Sequence, residues 1–285
     1  MIPPETVARR AEIVRETRKF FDGRGFVEVD TPCRIGAPAP EPHIDCPPVA
    51  TGGFLRASPE LQMKKLLASG LERIYQIGPC FRDGERGSRH NPEFTMIEWY
   101  RKCATSRDIM DETSALVSLL SGKFCGGRRF ARRGIATVRD MYLKHAGWDP
   151  WSDWDADRFD IDMAEKIEPA IARTGGMVYL YGYPPQAASL ARVENGVADR
   201  WELYVDGMEL ANCFGELCDP VEQAARFAAA KETRRRLGEA DYPLDGEFLE
   251  KIGRIGGAAG IALGIDRLVM LLLDLPSIDQ ARIQP

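Results

Sequence analysis

Residues 81–100 have the sequence FRDGERGSRHNPEFTMIEWY, which predicts the central β-hairpin of the protein. An apolar run ends at Arg82, a polar loop with glycines spans residues 83–91, and an alternating segment then returns. This pattern is typical of two antiparallel strands with a long tip. Because side chains alternate faces along a strand, one face of the returning strand carries Phe94, Met96, Glu98 and Tyr100. Such a face is suited to line a binding site for a ligand that has both a flat ring and a cation.

The composition indicates a globular protein with a substantial core. The chain has 285 residues, of which 44% are hydrophobic and 28% charged, as expected for one large domain. Its net charge of -5 gives no support for a protein dedicated to wrapping nucleic acid. No apolar run approaches the length of a membrane span, and charges near the N-terminus argue against a secretory signal. Seven scattered cysteines without a Cys-x-x-Cys pair indicate reduced thiols in a cytoplasmic protein.

Two segments precede the hairpin. Residues 6–22 have apolar positions at helical spacing and predict a helix that ends at Gly23, followed by a short strand over 26–29. Ser58 and Pro59 then predict the start of a second helix at Glu60, because serine caps helices and proline fits the first turn. Considered by itself, Glu60 is more simply a helix-start residue than a ligand of anything.

A second hairpin is predicted around the Asp-Gly pair at 206–207, a strong signal for a two-residue turn. The register that follows pairs Val205 with Met208, Tyr204 with Glu209 and Leu203 with Leu210. Glu202 then lies on the same face as Glu209, diagonally across the strands. Two carboxylates this close repel unless a cation lies between them, and magnesium with a nucleotide phosphate is the natural candidate. An exposed hairpin with two solvated carboxylates explains the spacing equally well.

The C-terminal part predicts a helix over 219–236 that ends at Gly238, and then a glycine-rich strand over 256–264. Glycines on a strand allow a flat ligand to approach the backbone. The strand runs directly into Asp266, Arg267 and an apolar helix.

Three segments in the middle of the chain carry less information. Residues 114–120 predict a helix, and the Trp-rich stretch 140–162 has the character of a loop. The basic cluster GGRRFARRG at 126–134 is more simply a solvated loop than a binding patch.

These motifs resemble those of class II aminoacyl-tRNA synthetases. An arginine, a loop and His-Asn-Pro-Glu-Phe at 90–94 resemble the second class II motif in its lysyl form, and Gly-Ile-Asp-Arg at 264–267 resembles the third. The helix, turn and strand before Pro32 resemble the first motif, which in that family builds a homodimer interface. The resemblance covers residues 20–273. It implies an α+β fold, an antiparallel sheet flanked by helices, in a single catalytic domain over 1–285.

The resemblance is closest to the elongation factor P lysine ligase family. Lysyl-tRNA synthetases carry an N-terminal oligonucleotide-binding (OB) domain for the anticodon, and this chain has no room for one before its first motif. The family resemblance implies ATP-dependent activation of lysine or (R)-β-lysine as an adenylate, with magnesium. It also implies transfer to a lysine side chain of elongation factor P.

The same resemblance implies a set of site residues. Arg82 and Arg267 are the expected catalytic residues, the first at the α-phosphate and the second stacked on adenine opposite Phe94. The implied ATP site comprises Arg82, Asp83, Gly84, Glu85, Asn91, Phe94, Glu209, Leu210, Gly264 and Arg267. The implied amino-acid site comprises Ser58, Pro59, Glu60, Glu98, Tyr100, Asn212, Glu216 and Ala262. The expected magnesium ligands are Glu202 and Glu209.

The sequence departs from the class II pattern at several positions. Gly84 stands where a glutamate is usual, and Glu85 comes one residue late. Cys213 and Gly215 replace a usual glycine and a usual histidine or serine. Ala262 matches the ligase family where lysyl-tRNA synthetases have glycine, and its methyl group would favour the shifted amino group of β-lysine.

Three alternatives remain open. A non-catalytic regulatory paralogue is disfavoured because both arginines and both metal-binding glutamates are retained, although Gly84 favours it slightly. An asparagine-synthetase-like enzyme would need cations in its amino-acid pocket, whereas this pocket presents carboxylates. A lysyl-tRNA synthetase-like paralogue that charges tRNA without reading the anticodon would differ only in its acceptor.

Overall fold

The computed structural model describes residues 2–126 and 130–283. Its contacts fall into two compact units. The first comprises Met1–Ala104, Cys218–Ala258 and Ala262–Pro285, and the second comprises Thr105–Leu217 and Ala259–Ile261. The single catalytic domain expected over 1–285 stays a prediction. Within the two described ranges, no helix combines the length and the apolar character that crossing a membrane requires.

The strands of the described residues include those of both predicted hairpins. They are β1 (Val27–Glu28), β2 (Arg34–Ile35), β3 (Phe54–Leu55), β4 (Arg73–Phe81), β5 (Glu93–Lys102), β6 (Arg132–Thr137), β7 (Met177–Tyr183), β8 (Val193–Glu194), β9 (Val197–Val205), β10 (Met208–Gly215) and β11 (Ala258–Gly264). The helices are α1 (Pro4–Asp22), α2 (Glu60–Ala68), α3 (Ser106–Phe124), α4 (Val138–Met141), α5 (Ala156–Asp162), α6 (Glu168–Thr174), α7 (Pro220–Leu237), α8 (Gly246–Lys251) and α9 (Ile265–Leu272). Short π-helical turns cover Tyr142–Ala146 and Met163–Ile167.

The first unit contains the central hairpin, and the prediction for it is confirmed. Strands β4 and β5 pair antiparallel in an unbroken register from Arg73↔Arg101 to Phe81↔Glu93, while β1 runs parallel to β4 on its other side. Trp99 is fully buried, and its ring centroid lies 5.0 Å from that of Phe21 on α1. Helix α1 therefore covers the Trp99 face of β5. Strand alternation turns Glu98 and Tyr100 to the opposite face.

The second unit contains the other hairpin in the strand order β10-β9-β7-β6, with β8 paired to β9. Asp206 and Gly207 both have positive φ, 48° and 78°, as a type I′ turn requires. The predicted pairing of Leu203 with Leu210 is wrong, because the register shifts between Glu209 and Ala211. Leu210 occupies a β-bulge, in which two residues of one strand face one residue of its partner.

The expectation of a loop over 140–162 is wrong at both ends of the segment, and only residues 147–155 between them lack regular structure. This segment contains the end of α4, a π-helical turn and α5. The ring of Tyr142 stacks on Phe159 at 4.7 Å, and its hydroxyl donates to the carbonyl of Phe159 at 2.6 Å. Trp148 contacts Tyr142 edge-on at 5.6 Å. The helices are stabilised by this aromatic packing, which local apolar periodicity did not reveal.

The α+β class with helices flanking the strands is confirmed, and the strand set is mixed, since β1/β4 and β6/β7 are parallel pairs. In the basic segment 126–134, residues 127–129 lie outside the described ranges. Arg132 of the same segment lies 2.9 Å from a carboxylate oxygen of Asp111 and 5.2 Å from the ring centroid of Tyr179. That arginine has structural partners, in line with the simpler interpretation of the cluster.

Candidate active site

The first unit holds a buried group of polar residues that we name the acidic cup: Ser58, Glu60, Lys64, Glu98 and Tyr100. Glu98 is only 1% exposed, and its two carboxylate oxygens accept hydrogen bonds from Tyr100 Oη at 2.8 Å and Ser58 Oγ at 2.6 Å. Burial, and next the negative charge of Glu60, raise the pKa of Glu98 to about 7. A buried carboxylate that accepts hydrogen bonds from two hydroxyl groups is suited to receive a cation.

Glu60 reaches this cup from the start of α2. Ser58 Oγ accepts a hydrogen bond from the Glu60 amide at 2.9 Å and also donates to Glu98. The expectation that Ser58 caps α2 is wrong, because the N-cap is Pro59 and no side chain caps this helix start. Lys64, 1% exposed, lies one turn further on and donates from Nζ to Glu60 Oε1 at 2.5 Å. Lys64 is not among the site residues predicted from the sequence, although a Glu and a Lys four residues apart on a helix are a recognisable pair.

Two other residues expected in the amino-acid pocket, Pro59 and Ala262, also lie in the first unit. Pro59 directly precedes α2. On β11, Ala262 and Gly264 are half-buried and alternate with the fully buried Leu263, so they share one face of the strand. A Cβ added at Gly264 would lie 3.7 Å from the Cβ of Arg267, an ordinary contact.

The two expected catalytic arginines both contact the central hairpin. The Cζ of Arg82 lies 5.2 Å from the ring centroid of Phe94, so Arg82 itself faces the ring expected to stack on adenine. Arg267 donates from Nε to the carbonyl of Arg89 at 3.3 Å, and its Nη2 lies 2.5 Å from Nε2 of His90, both in the hairpin loop. The structure therefore brings both guanidiniums to one hairpin, each in contact with the protein.

The loop departures have a physical explanation. Gly84 has a φ of 75°, a left-handed conformation that a glutamate at this position would adopt only with strain. Its amide donates to Asp83 Oδ1 at 3.0 Å, and Glu85 lies 3.5 Å from Nη1 of Arg82. A glutamate one residue late thus still pairs with the arginine.

Two buried polar atoms at this hairpin fit a phosphate-bearing ligand. Nε of Arg82 and Nδ2 of Asn91 are both buried and have no hydrogen-bond partner among the residues that the structure describes. Donors in this state are costly unless a ligand or water accepts from them.

The second unit holds the expected metal ligands. Glu202 accepts from Tyr204 Oη at 2.9 Å and from Arg200 Nη2 at 2.6 Å. The Cζ of Arg200 also lies 4.3 Å from the ring centroid of Tyr183. Burial lowers the pKa of Arg200, but the electrostatic effects of Glu202 and then Tyr183 outweigh burial, so the pKa is raised. The cation required beside Glu202 is thus partly supplied by the protein. Arg200 is likewise not among the residues predicted from the sequence, although it shares a strand face with Glu202 two residues away.

The bulge at Leu210, which is 2% exposed, changes what faces Glu202. Asn212 lies directly opposite Glu202 in the register, and its Oδ1 accepts from Arg200 Nε at 3.3 Å. In the part of the chain that the structure describes, no group of three or more His, Cys, Asp or Glu side chains forms a metal site. The expectation that Glu202 and Glu209 bind magnesium therefore stays a prediction, which the oxygen chemistry of two carboxylates favours.

Glu216 and the two neighbouring departures lie at the end of β10. Glu216 is 2% exposed, and its backbone bridges to Ala191. Cys213 is fully buried, and burial followed by the charge of Glu216 raises the pKa of its thiol well above the usual range. A Cβ at Gly215 would lie 1.9 Å from Asp199 Oδ2, so no side chain fits there beside that carboxylate.

Comparisons with known proteins show which family the chain resembles. A family model for tRNA synthetases of class II (D, K and N) matches residues 4–285. The chain is 36% identical to the elongation factor P–(R)-β-lysine ligase of Vibrio cholerae, over 97% of this chain and 94% of the relative. It is 33% identical to the protein of the same name in Hamiltonella defensa, over 99% and 95%. The Yersinia enterocolitica protein of that name is 34% identical, over 95% and 92%.

Proposed function

The chain belongs to the class II tRNA synthetase family, in its elongation factor P–(R)-β-lysine ligase branch, and from that membership we propose its reaction. It activates lysine or (R)-β-lysine with ATP and transfers the aminoacyl group to a lysine side chain of elongation factor P. The observation that carries the proposal is the acidic cup, in which Glu98 is buried and bonded to two hydroxyls. Such a carboxylate selects a substrate that ends in an ammonium group.

In the first step, an oxygen of the substrate carboxylate attacks the α-phosphorus of ATP. The new bond is carboxylate oxygen to phosphorus, and the bond from that phosphorus to pyrophosphate breaks. The carboxylate is already an anion, so this step needs no general base. Arg82 meets the α-phosphate and Arg267 stacks on adenine, and both must leave their present contacts with Phe94 and His90. Positioning and charge neutralisation supply most of the rate.

Glu202 and Glu209 are the proposed magnesium ligands. When bound, magnesium would neutralise phosphate oxygens and ease the departure of pyrophosphate. Arg200 holds Glu202 in place at 2.6 Å and adds a second positive charge beside it. Leu210, Asn212 and Gly264 complete the ATP and substrate surroundings in this proposal.

For the amino acid, Glu98, Tyr100 and Glu216 are proposed to hold the distal ammonium, with Glu60 or Ser58 near the other amine. Ala262 is proposed to favour β-lysine, because its methyl group projects from the same face of β11 as Gly264. The variant Ala262→Gly should shift the ratio of activity with α-lysine to activity with (R)-β-lysine toward α-lysine. An unchanged ratio would remove Ala262 from the specificity argument.

In the second step, a neutral acceptor amine attacks the carbonyl carbon of the adenylate. An amide bond forms, AMP leaves, and the amine loses a proton. The chain is incubated with ATP and labelled lysine or (R)-β-lysine, and label is followed on elongation factor P and on tRNA in parallel. We expect label on the protein only. Label on tRNA alone would support the tRNA-charging alternative, and lysine-dependent ATP–pyrophosphate exchange without either product would refute the acceptor assignment.

A homodimer and a cytoplasmic location are part of the same proposal. Val7 on α1 and Val27 on β1 are 40% and 50% exposed, which suits an interface formed by the first class II motif. All seven cysteines keep their thiol groups and none is joined in a disulfide within the described residues, as a reducing compartment favours. Light scattering on the purified protein tests the dimer, and a monomer at micromolar concentration would refute it.

A further inference from the structure

One ion pair and two hydrogen bonds form a closed ring behind the proposed adenine site. Arg10 of α1 lies with Nη1 2.6 Å from Asp266 Oδ1 and donates from Nη2 to Thr95 Oγ1 at 2.8 Å. The amide of Thr95 donates to Asp266 Oδ2 at 2.8 Å, which closes the ring. Arg10 also donates to the carbonyl of Ala281 at 3.3 Å. We name Arg10, Thr95 and Asp266 the backing ring.

Each member of the backing ring adjoins a proposed ATP contact in the sequence. Thr95 follows Phe94 on β5, and Asp266 precedes Arg267 in the first turn of α9. Neighbouring side chains on a strand point to opposite faces. The backing ring therefore lies on the face of β5 opposite to the one that carries Phe94. A network that fixes Thr95 relative to Asp266 therefore also fixes the backbone spacing between Phe94 and Arg267.

Arg10 is the cation that makes this ring stable. Asp266 is only 2% exposed, and a buried carboxylate without a cationic partner is strongly unfavourable. A second arginine provides a matched contrast on the same strand face. Arg282 pairs with Glu93, the residue on the other side of Phe94, but that carboxylate side chain is 48% exposed and solvent screens the pair. Both arginines line the same cleft of about 510 Å³.

We propose that Arg10 is a positioning residue for ATP, which sets the separation of Phe94 and Arg267 from outside the nucleotide site. This inference rests on the proposed function, because ATP binding by these two residues is part of that proposal. Arg10 makes no proposed contact with lysine, so its loss should act on one substrate and not the other.

The test is lysine-dependent ATP–pyrophosphate exchange, with ATP and lysine titrated separately. For Arg10→Met we expect the KM for ATP to rise about tenfold and the KM for lysine to change less than twofold. The control Arg282→Met should leave both constants within twofold of the wild type. Arg10→Lys keeps the charge but not the two-pronged geometry, and should fall between Arg10→Met and the wild type.

A double-mutant cycle separates ring formation from general stability. Asp266→Asn keeps an acceptor for the Thr95 amide but removes the charge, so it should raise the KM for ATP as Arg10→Met does. The double variant should be no worse than either single variant, because both remove the same pair. Independent, multiplying effects of the two substitutions would overturn the proposal.

Other outcomes are also decisive. An unchanged KM for ATP in Arg10→Met, or equal rises for both substrates together with a lowered Tm, would overturn the positioning role. If Arg10→Met does not fold, Thr95→Val takes its place, with an expected threefold rise for ATP alone. Failure of the proposed function is distinct: the wild type would then show no lysine-dependent exchange. In that case calorimetric ATP binding still tests the ring, and an equal Kd for the wild type and Arg10→Met would refute it.

Discussion

Two strands of the molecule carry the same local arrangement with opposite electrostatic outcomes. On β5, Tyr100 donates its hydroxyl to Glu98 two residues earlier at 2.8 Å, and on β9, Tyr204 donates to Glu202 in the same way at 2.9 Å. The third partner differs. Glu98 accepts from the hydroxyl of Ser58, whereas Glu202 accepts from the guanidinium of Arg200, each at 2.6 Å.

The difference shows that the third partner decides what a Glu-x-Tyr pair can do. With a hydroxyl as the third partner of Glu98, burial and then the charge of Glu60 raise the pKa of this carboxyl to about 7, against the lowering charge of Arg56. It is therefore ready to bind an ammonium from a substrate. With a guanidinium, Glu202 keeps its charge balanced and can share it with a metal and phosphate. The same three-residue pattern is thus proposed to serve as an ammonium receptor on one strand and as a metal ligand on the other.

Among the variants of these two strands, Glu98→Gln should change substrate binding most. Losing the charge that pairs with a buried ammonium costs about 3 kcal/mol, which raises the KM for lysine roughly 100-fold. The KM for ATP should stay within about twofold. Substrate-resolved ATP–pyrophosphate exchange measures both constants. Equal KM values for lysine in Glu98→Gln and the wild type would show that Glu98 is not the receptor.

The matching change on β9 is Glu202→Gln, with an expected effect on magnesium in place of lysine. Removing one of two ligand charges should weaken the apparent magnesium affinity roughly 30-fold. The assay is a magnesium titration of the exchange rate at saturating lysine and ATP, with Glu98→Gln as the control. The assignment fails if Glu202→Gln needs no more magnesium than the wild type.

The pH dependence separates the two carboxylates further. A pKa of about 7 leaves Glu98 mostly protonated at low pH, and only the ionised form binds an ammonium. The KM for lysine should therefore fall about tenfold as pH rises from about 6 to about 8, since the ionised fraction grows tenfold. Glu98→Gln should flatten this profile while Glu202→Gln retains it. A profile that is already flat in the wild type would contradict the raised pKa.

The smallest expected effect comes from the paired variants Tyr100→Phe and Tyr204→Phe. Each removes one hydroxyl that donates to a glutamate, a loss of about 1 kcal/mol when no other donor compensates. We expect about a fivefold rise in the KM for lysine for Tyr100→Phe. Tyr204→Phe should change the magnesium requirement less than about twofold, because Arg200 still holds Glu202. Equal effects of the two variants would erase the proposed contrast.

The sequence predicted the central hairpin and its faces because the alternation there is uninterrupted. Nine consecutive residue pairs between β4 and β5 have no bulge, so the alternation of faces is kept and Glu98 and Tyr100 point to the same side. The Asp-Gly turn was equally predictable, since few residues tolerate positive φ at both positions. The pairing beyond that turn was not, because the bulge at Leu210 follows from tertiary packing and has no local marker.

The charge partners escaped prediction for a different reason. Lys64 lies one helical turn from Glu60, and Arg200 lies two residues from Glu202. Both pairs are therefore visible in the local sequence, but the spacing alone does not tell whether the cation bonds to the carboxylate. The contact between Ser58 and Glu98 spans forty positions, and nothing in either segment encodes it before the chain folds. Local pattern thus identified the carboxylates but not the groups that set their charge.

The side chain of Asp199 restricts which residues position 215 can hold. The carboxylate of Asp199 accepts from Ser106 Oγ at 2.5 Å and from Arg192 Nη2 at 2.6 Å, and it fills the space that a Cβ at position 215 would need. A mutational route toward histidine or serine at 215 must therefore first shorten or move residue 199. In a library that varies both positions, substitutions at 215 should give active enzyme only together with a smaller residue at 199. Alanine at 215 should be rescued by glycine or alanine at 199.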